Sequence, residues 1–217
     1  MTAPLRILLS GFEPFGGDPV NSSEQLVHAL HGQRVGHATV HGCVLPCTFA
    51  HAWPVLRRTI QDATPTLVLA TGQAAGRTGL TVERVAINVA DARIPDNAGA
   101  QPVDQPVIEG GAAAHFASLP IKAMVAAITQ AGLPAAVSQT AGTFVCNHVF
   151  YGLMEHLQQR PGLRGGFMHL PLLPEQVKAD APVPSLTLAQ MVQGVRAALE
   201  AALETSGDRP LTGGAEH

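Results

Sequence analysis

The sequence is poor in charge, in aromatic residues and in cysteine. Charged residues make up 13% of the chain, against about 25% in typical globular proteins. The 16 acidic residues outnumber the 13 Lys and Arg, which excludes the basic surface that binds nucleic acids or anionic membranes. So little surface charge predicts burial against other copies in an oligomer, although an Ala-, Gly- and His-rich composition is the plainer explanation.

Long hydrophobic runs and cysteine frameworks are missing as well. No apolar run approaches the ~18 residues of a membrane span, and the N-terminal stretch is typical of a first strand rather than of a signal peptide. The three cysteines do not form a secreted disulfide framework, and no His or Cys residues have metal-ligand spacing. We therefore expect a cytoplasmic protein with free thiols and no bound metal.

Apolar residues, by contrast, make up 46% of the 217 residues, enough for one large core. Short apolar runs predict the strands LRILLS, ATVHGCVLP, TLVLATG, VERVAINVA, AAVSQTA and GGFMHLPLL. Amphipathic stretches predict helices over 21–30, 51–63, 121–132, 147–159 and 186–203. This alternation predicts an α/β fold with helices on both faces of a mixed, mostly parallel central sheet. The last residues, 206–217, are expected to form a flexible tail.

The glycine-rich turn after the first predicted strand has the outline of a phosphate-binding loop but not its chemistry. Gly11 and Gly16 have the P-loop spacing, yet the Lys and the hydroxyl residue of that motif are missing, and Glu13 adds a negative charge. Phe12 and Phe15 lie on the same turn. Their rings suit a flat, uncharged ligand, or else they simply pack in the core.

A second unusual stretch is the segment 91–111, which is rich in Pro, Gly, Asp and Asn. It is longer than most connectors in a compact domain, and such length favours a functional loop. A long surface loop without a function remains the alternative.

Cys146 is the cysteine whose position most favours reactivity. It follows a small-residue turn at the start of a predicted helix, where the macrodipole and free N–H groups lower a thiol pKa. A cysteine nucleophile requires a base and an orienting acid. His169, near the end of an apolar strand pattern, and Glu83, inside another, are the candidates. A core cysteine, a satisfied core histidine and a strand-face Glu–Arg pair are the structural alternatives; Cys43 and Cys47 are expected to be buried or half-buried thiols.

Four stretches, taken together, resemble a known enzyme family. They are LLSGFEPFGGDPVNSS, GQAAGRTGLTVERVAINVADARIPDNAGAQP, SQTAGTFVCNHVFYGLM and GFMHLPLLPEQ. In this order they are similar to pyroglutamyl peptidase type I, a family of cysteine exopeptidases also called pyrrolidone-carboxylate peptidases. The resemblance covers nearly the whole chain. It implies a single three-layer α/β/α domain, here 1–205, assembled as a homotetramer without a metal or organic cofactor.

The family activity is hydrolytic removal of an N-terminal pyroglutamyl residue from peptides and proteins. The resemblance places the nucleophile on Cys146, the base on His169 and the acid on Glu83, with a thioacyl-enzyme intermediate. Arg93 and backbone N–H groups near Cys146 would stabilise the oxyanion. The implied substrate-binding residues are Phe12, Phe15, Gln73, Phe144 and Val145, with backbone around Gln73 meeting the lactam N–H and C=O.

Two other functions stay open at this level. A phosphorylase- or nucleosidase-like protein on a similar scaffold would use the glycine loop for phosphate, and its activity would be insensitive to thiol alkylation. An interaction protein would carry an inert Cys146, which would be alkylated slowly at neutral pH.

Overall fold

The computed structural model describes residues 5–180, 182–205 and 207–214. Its helices are α1 Ser22–Leu30, α2 Ala52–Ala63, α3 Ile121–Gln130, α4 Val145–Leu157 and α5 Leu188–Glu204, with a short 3-10 helix at Pro174–Gln176. Its strands are β1 Leu5–Phe12, β2 Arg34–Val35, β3 Ala38–Leu45, β4 Leu67–Gln73, β5 Leu80–Glu83, β6 Val85–Ile87, β7 Ala114–Phe116, β8 Ala135–Ser138 and β9 Arg164–Leu170.

Local capping groups explain several helix boundaries. Asn21 caps α1, because its Oδ1 accepts a hydrogen bond from the backbone N–H of Ser23 at 2.9 Å. Gly132, with φ of 82°, follows the C-cap residue Ala131 and ends α3 in the left-handed conformation that glycine adopts readily. Thr187 and Gln190 form a capping box at the start of α5. None of the described helices has the length and apolarity needed to cross a membrane.

The main sheet has the strand order β2-β3-β1-β4-β9-β5-β8. Neighbours from β3 to β9 are parallel, and so are β5 and β8, whereas β5 runs antiparallel to β9 and β2 antiparallel to β3. The predicted mixed, mostly parallel sheet is therefore confirmed. The predicted strand VERVAINVA divides at Arg84 into β5, in the main sheet, and β6, which pairs with β7 in a separate two-stranded sheet.

Two hydrophobic clusters cover the two faces of the main sheet. On one face α1, α3 and α5 pack against it through buried residues that include Leu26, Val27, Met124, Ile128, Val195 and Leu199. On the other face α2 and α4 contribute Leu56, Ile60, Val149, Phe150 and Leu153. Helices on both faces of one sheet make the three-layer α/β/α arrangement that the resemblance implies.

The described part of the C-terminal tail lies beside α3 and β8. The Asp208 carboxylate accepts a hydrogen bond from the backbone N–H of Lys122 at 3.0 Å, at the start of α3. The Gly213 carbonyl accepts one from Arg84 Nη2, also at 3.0 Å. Ser206 and 215–217 lie outside the described residues. The boundary of the domain at residue 205 and the flexibility of the tail stay predictions.

Candidate active site

Three neighbouring strands bring Gly72, His169 and Thr81 into one row across the sheet. Gly72 on β4 is in parallel register with His169 on β9, and His169 lies opposite Thr81 on the antiparallel β5. Glu83, two residues beyond Thr81, is on the same face because side chains alternate along a strand. The Nδ1 atom of His169 is 2.8 Å from Glu83 Oε1. The sheet register therefore joins the predicted base to the predicted acid.

The helix α4 presents Cys146 to the same row. Because the helix begins at Val145, Cys146 lies in its first turn, as the sequence predicts. A Cβ atom built on Gly72 would lie 2.7 Å from Cys146 Sγ, so the thiol occupies the space that a side chain at position 72 would fill. Sequence reasoning missed the role of Gly72; the available signal was a glycine inside an apolar strand pattern.

Burial governs the electrostatics of the thiol. Desolvation raises the pKa of Cys146 above its usual range, the nearby Cys47 and Glu83 raise it further, and a hydrogen bond from the Cys146 backbone N–H acts in the opposite direction. The lowered pKa expected from the helix N-terminus is therefore not found, because the desolvation of a thiolate outweighs the backbone contribution. Burial therefore favours the neutral thiol over the thiolate.

The Glu83 carboxylate is fully buried and has more than one partner. Its Oε1 atom contacts His169 Nδ1 and also Arg77 Nη2, which is 3.3 Å away. Its Oε2 atom has no hydrogen-bond partner among the described residues. Sequence reasoning missed Arg77, because nothing in the sequence marks which arginine of GRTGLTVER reaches the carboxylate.

The predicted aromatic residues fall into two environments. Phe15 and Phe144 are partly buried, and their ring centroids are 6.2 Å apart. Phe144 lies two residues before Cys146 in the chain. Phe12 is only 2% exposed, and Val145 is fully buried; both pack in the core cluster beneath α2 and α4. The structure therefore pairs Phe15 with Phe144 and buries Phe12 and Val145 in the core. Their roles toward a substrate stay predictions.

Glu13, in the glycine-rich turn, links that turn to the segments that contain Cys47 and Asn97. Glu13 Oε1 accepts hydrogen bonds from the Cys47 backbone N–H at 3.0 Å and from Asn97 Nδ2 at 2.9 Å. Asn97 Nδ2 also donates to the Pro14 carbonyl at 2.9 Å. The two glycines after Phe15 have φ of 66° and 85°, which permits the sharp reversal of the chain there. This network fixes the loop that carries Phe15, and the part that Asn97 plays in it was not predicted from the sequence.

Gln73 and Arg93 differ in how firmly they are held. Gln73 Oε1 accepts hydrogen bonds from Ser22 N at 2.8 Å and from Gln176 Nε2 at 3.0 Å, which fixes the orientation of its amide. Arg93 is exposed, and its guanidinium makes no hydrogen bond or ion pair with another described residue. Its predicted contact with the oxyanion therefore stays a prediction.

Cys47 is buried and Cys43 is half-buried, and both are free thiols, which confirms their prediction. Across the described ranges, no group of three His, Cys, Asp or Glu side chains is arranged to hold a metal ion.

The chain is similar to known proteins over nearly its whole length. The family model described as pyroglutamyl peptidase matches residues 5–205. The pyrrolidone-carboxylate peptidase of Cupriavidus necator is 54% identical over 97% of this chain and 99% of its own. The crystal structure of pyroglutamyl peptidase I from Bacillus amyloliquefaciens covers 97% of this chain and 100% of its own, with 44% identity and a TM-score of 0.94. The pyrrolidone carboxyl peptidase from Thermococcus litoralis covers 92% of this chain and 94% of its own, with 35% identity and a TM-score of 0.89. The chain belongs to the pyroglutamyl peptidase family.

Proposed function

We propose that this protein is a cysteine exopeptidase that hydrolytically removes N-terminal pyroglutamate from peptides and proteins. The observation that carries the proposal is the 2.8 Å contact between His169 Nδ1 and Glu83 Oε1, next to the position where Cys146 Sγ packs over Gly72. Cysteine acyl transfer requires a nucleophile next to a base that an acid orients, and Cys146, His169 and Glu83 would fill these three roles. The names of the relatives supply the substrate class, a pyroglutamyl group.

Proton transfer follows from the contacts of His169. A carboxylate only accepts hydrogen bonds, so Nδ1 donates to Glu83 and Nε2 is the nitrogen that takes a proton from the thiol. Because burial raises the pKa of Cys146, the thiol loses its proton to His169 as it attacks. Glu83 then stabilises the imidazolium that forms.

The reaction proceeds in two halves. Cys146 Sγ attacks the carbonyl carbon of the pyroglutamyl residue, and the resulting oxyanion is stabilised by backbone N–H near Cys146 and by Arg93. The C–N bond breaks, and the leaving amine takes the proton from His169 Nε2, which leaves a thioacyl enzyme. A water molecule then gives a proton to His169 and attacks the thioester, and pyroglutamate leaves as Cys146 recovers its proton.

The lactam ring would be held between aromatic side chains. Phe15 and Phe144 are the partly buried pair, with Phe12 and Val145 forming the apolar wall behind them. Burial of a neutral five-membered ring there contributes on the order of 1–3 kcal/mol. Backbone around Gln73 would bind the lactam N–H and C=O, and the fixed amide of Gln73 supports that segment.

Assembly and location complete the proposal. A homotetramer in the cytoplasm fits the low charge and the free thiols of the chain. Val103 and Phe116 are 66% and 71% exposed, and such apolar side chains gain most from a neighbouring copy that covers them. Residues 1–205 would form the catalytic domain.

The ring specificity gives the direct test of the proposed activity. Wild-type protein in reducing buffer should release a fluorogenic amine from its pyroglutamyl amide and leave the prolyl amide intact. A site that hydrogen-bonds the lactam carbonyl disfavours a ring without it by about 10⁴-fold, because its own polar groups stay unpaired. Folded protein that cleaves neither amide, or the prolyl amide equally well, would contradict the proposal.

The loop network predicts a defect in substrate binding. Glu13→Ala removes the acceptor shared by Cys47 N and Asn97 Nδ2 and frees the loop that carries Phe15. We expect KM for the pyroglutamyl amide to rise about 10-fold with kcat changed much less, since a binding wall is lost rather than a catalytic group. Asp18→Ala removes an exposed charge from the same loop and should leave KM unchanged. Equal KM values for Glu13→Ala and wild type would show that the network does not shape the pocket.

A further inference from the structure

Arg77 contacts two parts of the site at once. It lies in the connection between β4 and β5, and its side chain is 29% exposed. Its Nη2 atom is 3.3 Å from Glu83 Oε1 and donates a hydrogen bond to the Thr140 carbonyl at 3.0 Å. Thr140 belongs to the turn that leads into α4 and Cys146. One guanidinium nitrogen therefore connects the acid with the segment that carries the nucleophile.

The buried acid needs a positive partner before the reaction begins. Glu83 is fully buried, and its Oε2 atom has no partner among the described residues. A carboxylate taken out of water is costly unless it is paired and hydrogen-bonded. A guanidinium carries a permanent positive charge, whereas an imidazole is charged only when it is protonated. Arg77, with Nη2 3.3 Å from Oε1, is therefore a permanently charged cation beside the Glu83 carboxylate.

The two contacts of Glu83 Oε1 differ in length, and the difference separates the roles of His169 and Arg77. His169 Nδ1 is 2.8 Å away and Arg77 Nη2 is 3.3 Å away. The shorter contact makes the imidazole of His169 the main hydrogen-bond donor to the carboxylate. The longer contact places the positive charge of Arg77 beside the carboxylate and helps to fix its orientation. Because a guanidinium stays protonated, Arg77 does not take part in the proton transfer itself.

We propose that Arg77 is a positioning residue for the reaction: it holds the Glu83 carboxylate in the place that orients His169, and it fixes the turn before Cys146 through the Thr140 carbonyl. The proposal rests on the peptidase function proposed above. It extends the group of three side chains to a fourth that touches neither the substrate nor the thiol. Its loss should slow the chemical step and leave binding of the lactam ring largely unchanged.

Arg84 offers a matched control. It follows Glu83 directly in the chain, but its guanidinium donates to Gln139 Oε1 at 2.8 Å and to the Gly213 carbonyl at 3.0 Å. It therefore also joins β5 to the segment after β8, without a contact to the carboxylate. Arg84→Met removes the same kind of side chain while the Glu83 and His169 contacts remain.

The test compares kcat and KM of Arg77→Met, Arg77→Lys and Arg84→Met on the pyroglutamyl amide, with the melting temperature of each. For Arg77→Met we expect kcat to fall about 10-fold and KM to change less than about 2-fold, since the lost contact acts on the transition state. Arg77→Lys should recover part of the activity because it keeps the charge. Arg84→Met should match wild type.

Each contrary result has a definite meaning. A folded Arg77→Met with wild-type kcat overturns the proposal, and so does an equal loss in Arg84→Met, which would point to general loosening of β5. An inactive wild type refutes the peptidase function instead. In that case the rate of iodoacetamide alkylation of Cys146, followed by mass spectrometry, still tests Arg77, because it needs no peptide. Slower alkylation in Arg77→Met than in Arg84→Met supports the positioning role, and equal rates overturn it.

Discussion

Replacing Cys146 with alanine should abolish cleavage of the pyroglutamyl amide. We expect kcat to fall by about 10⁴-fold or more, because without the sulfur no thioacyl enzyme forms and only binding and oxyanion stabilisation remain. The protein should keep its fold, since alanine fits in the first turn of α4 and Sγ only fills the space above Gly72. The measurement is release of the fluorogenic amine in reducing buffer.

The other two thiols provide the controls for this result. Cys43→Ala removes a half-buried thiol whose Sγ contacts Thr59 Oγ1 at 3.4 Å, and it should keep full activity. Cys47→Ala removes the buried thiol that shares a hydrophobic cluster with Cys146, and it should retain cleavage because no base is paired with it. If Cys146→Ala cleaves the substrate at a rate near that of wild type, another group is the nucleophile and the mechanism is wrong.

The second large effect is expected from Glu83→Gln, which keeps the shape of the side chain but removes its charge. A neutral amide neither holds the Nδ1–H tautomer of His169 nor stabilises the imidazolium. We therefore expect kcat to fall by about 10³–10⁴-fold, as with the equivalent change in other triads. KM should change little, because Glu83 is fully buried beneath the site. Steady-state kinetics on the pyroglutamyl amide measures both.

A second His–carboxylate pair in the molecule is the matched control. Glu155 Oε2 on α4 is 2.6 Å from His115 Nε2 on β7, in the part of the fold that joins the small sheet to the helix. Glu155→Gln should keep kcat within about 2-fold of wild type, since this pair has no role in the reaction. Comparable losses in Glu83→Gln and Glu155→Gln would mean that any weakened His–carboxylate pair disturbs the fold, and would remove the case for Glu83 as the acid.

Much of the fold could be predicted from the apolar pattern. Runs such as TLVLATG and GGFMHLPLL correspond to β4 and β9, which are buried on both faces, and a continuous apolar run is the expected signature of such strands. The helix α4 was also predicted, but it begins at Val145 rather than at residue 147, so Cys146 lies within its first turn. The short strands β2 and β7 were missed, because two or three residues carry no periodicity.

The pairing of distant segments could not be predicted from local patterns. Glu83 and His169 are 86 residues apart in the chain, and their contact depends on β5 lying antiparallel beside β9. An apolar run predicts a buried strand but not its neighbour or its direction. For the same reason the contact of Arg77 with Glu83 and the packing of Cys146 over Gly72 became visible only with the register. The burial that raises the pKa of the thiol is likewise not visible in the sequence.

The position of β9 in the sheet has a consequence for synthesis of the protein. It is the last strand that the structure describes, yet it lies between β4 and β5. A growing chain on the ribosome that has not yet released residue 170 therefore exposes one edge of β4, whose residues are all buried in the finished fold. Such an unpaired apolar edge invites aggregation. Truncated chains that end before β9 should thus be both inactive and prone to misassembly. Synthesis of β9 is therefore the step that covers the exposed edge of β4.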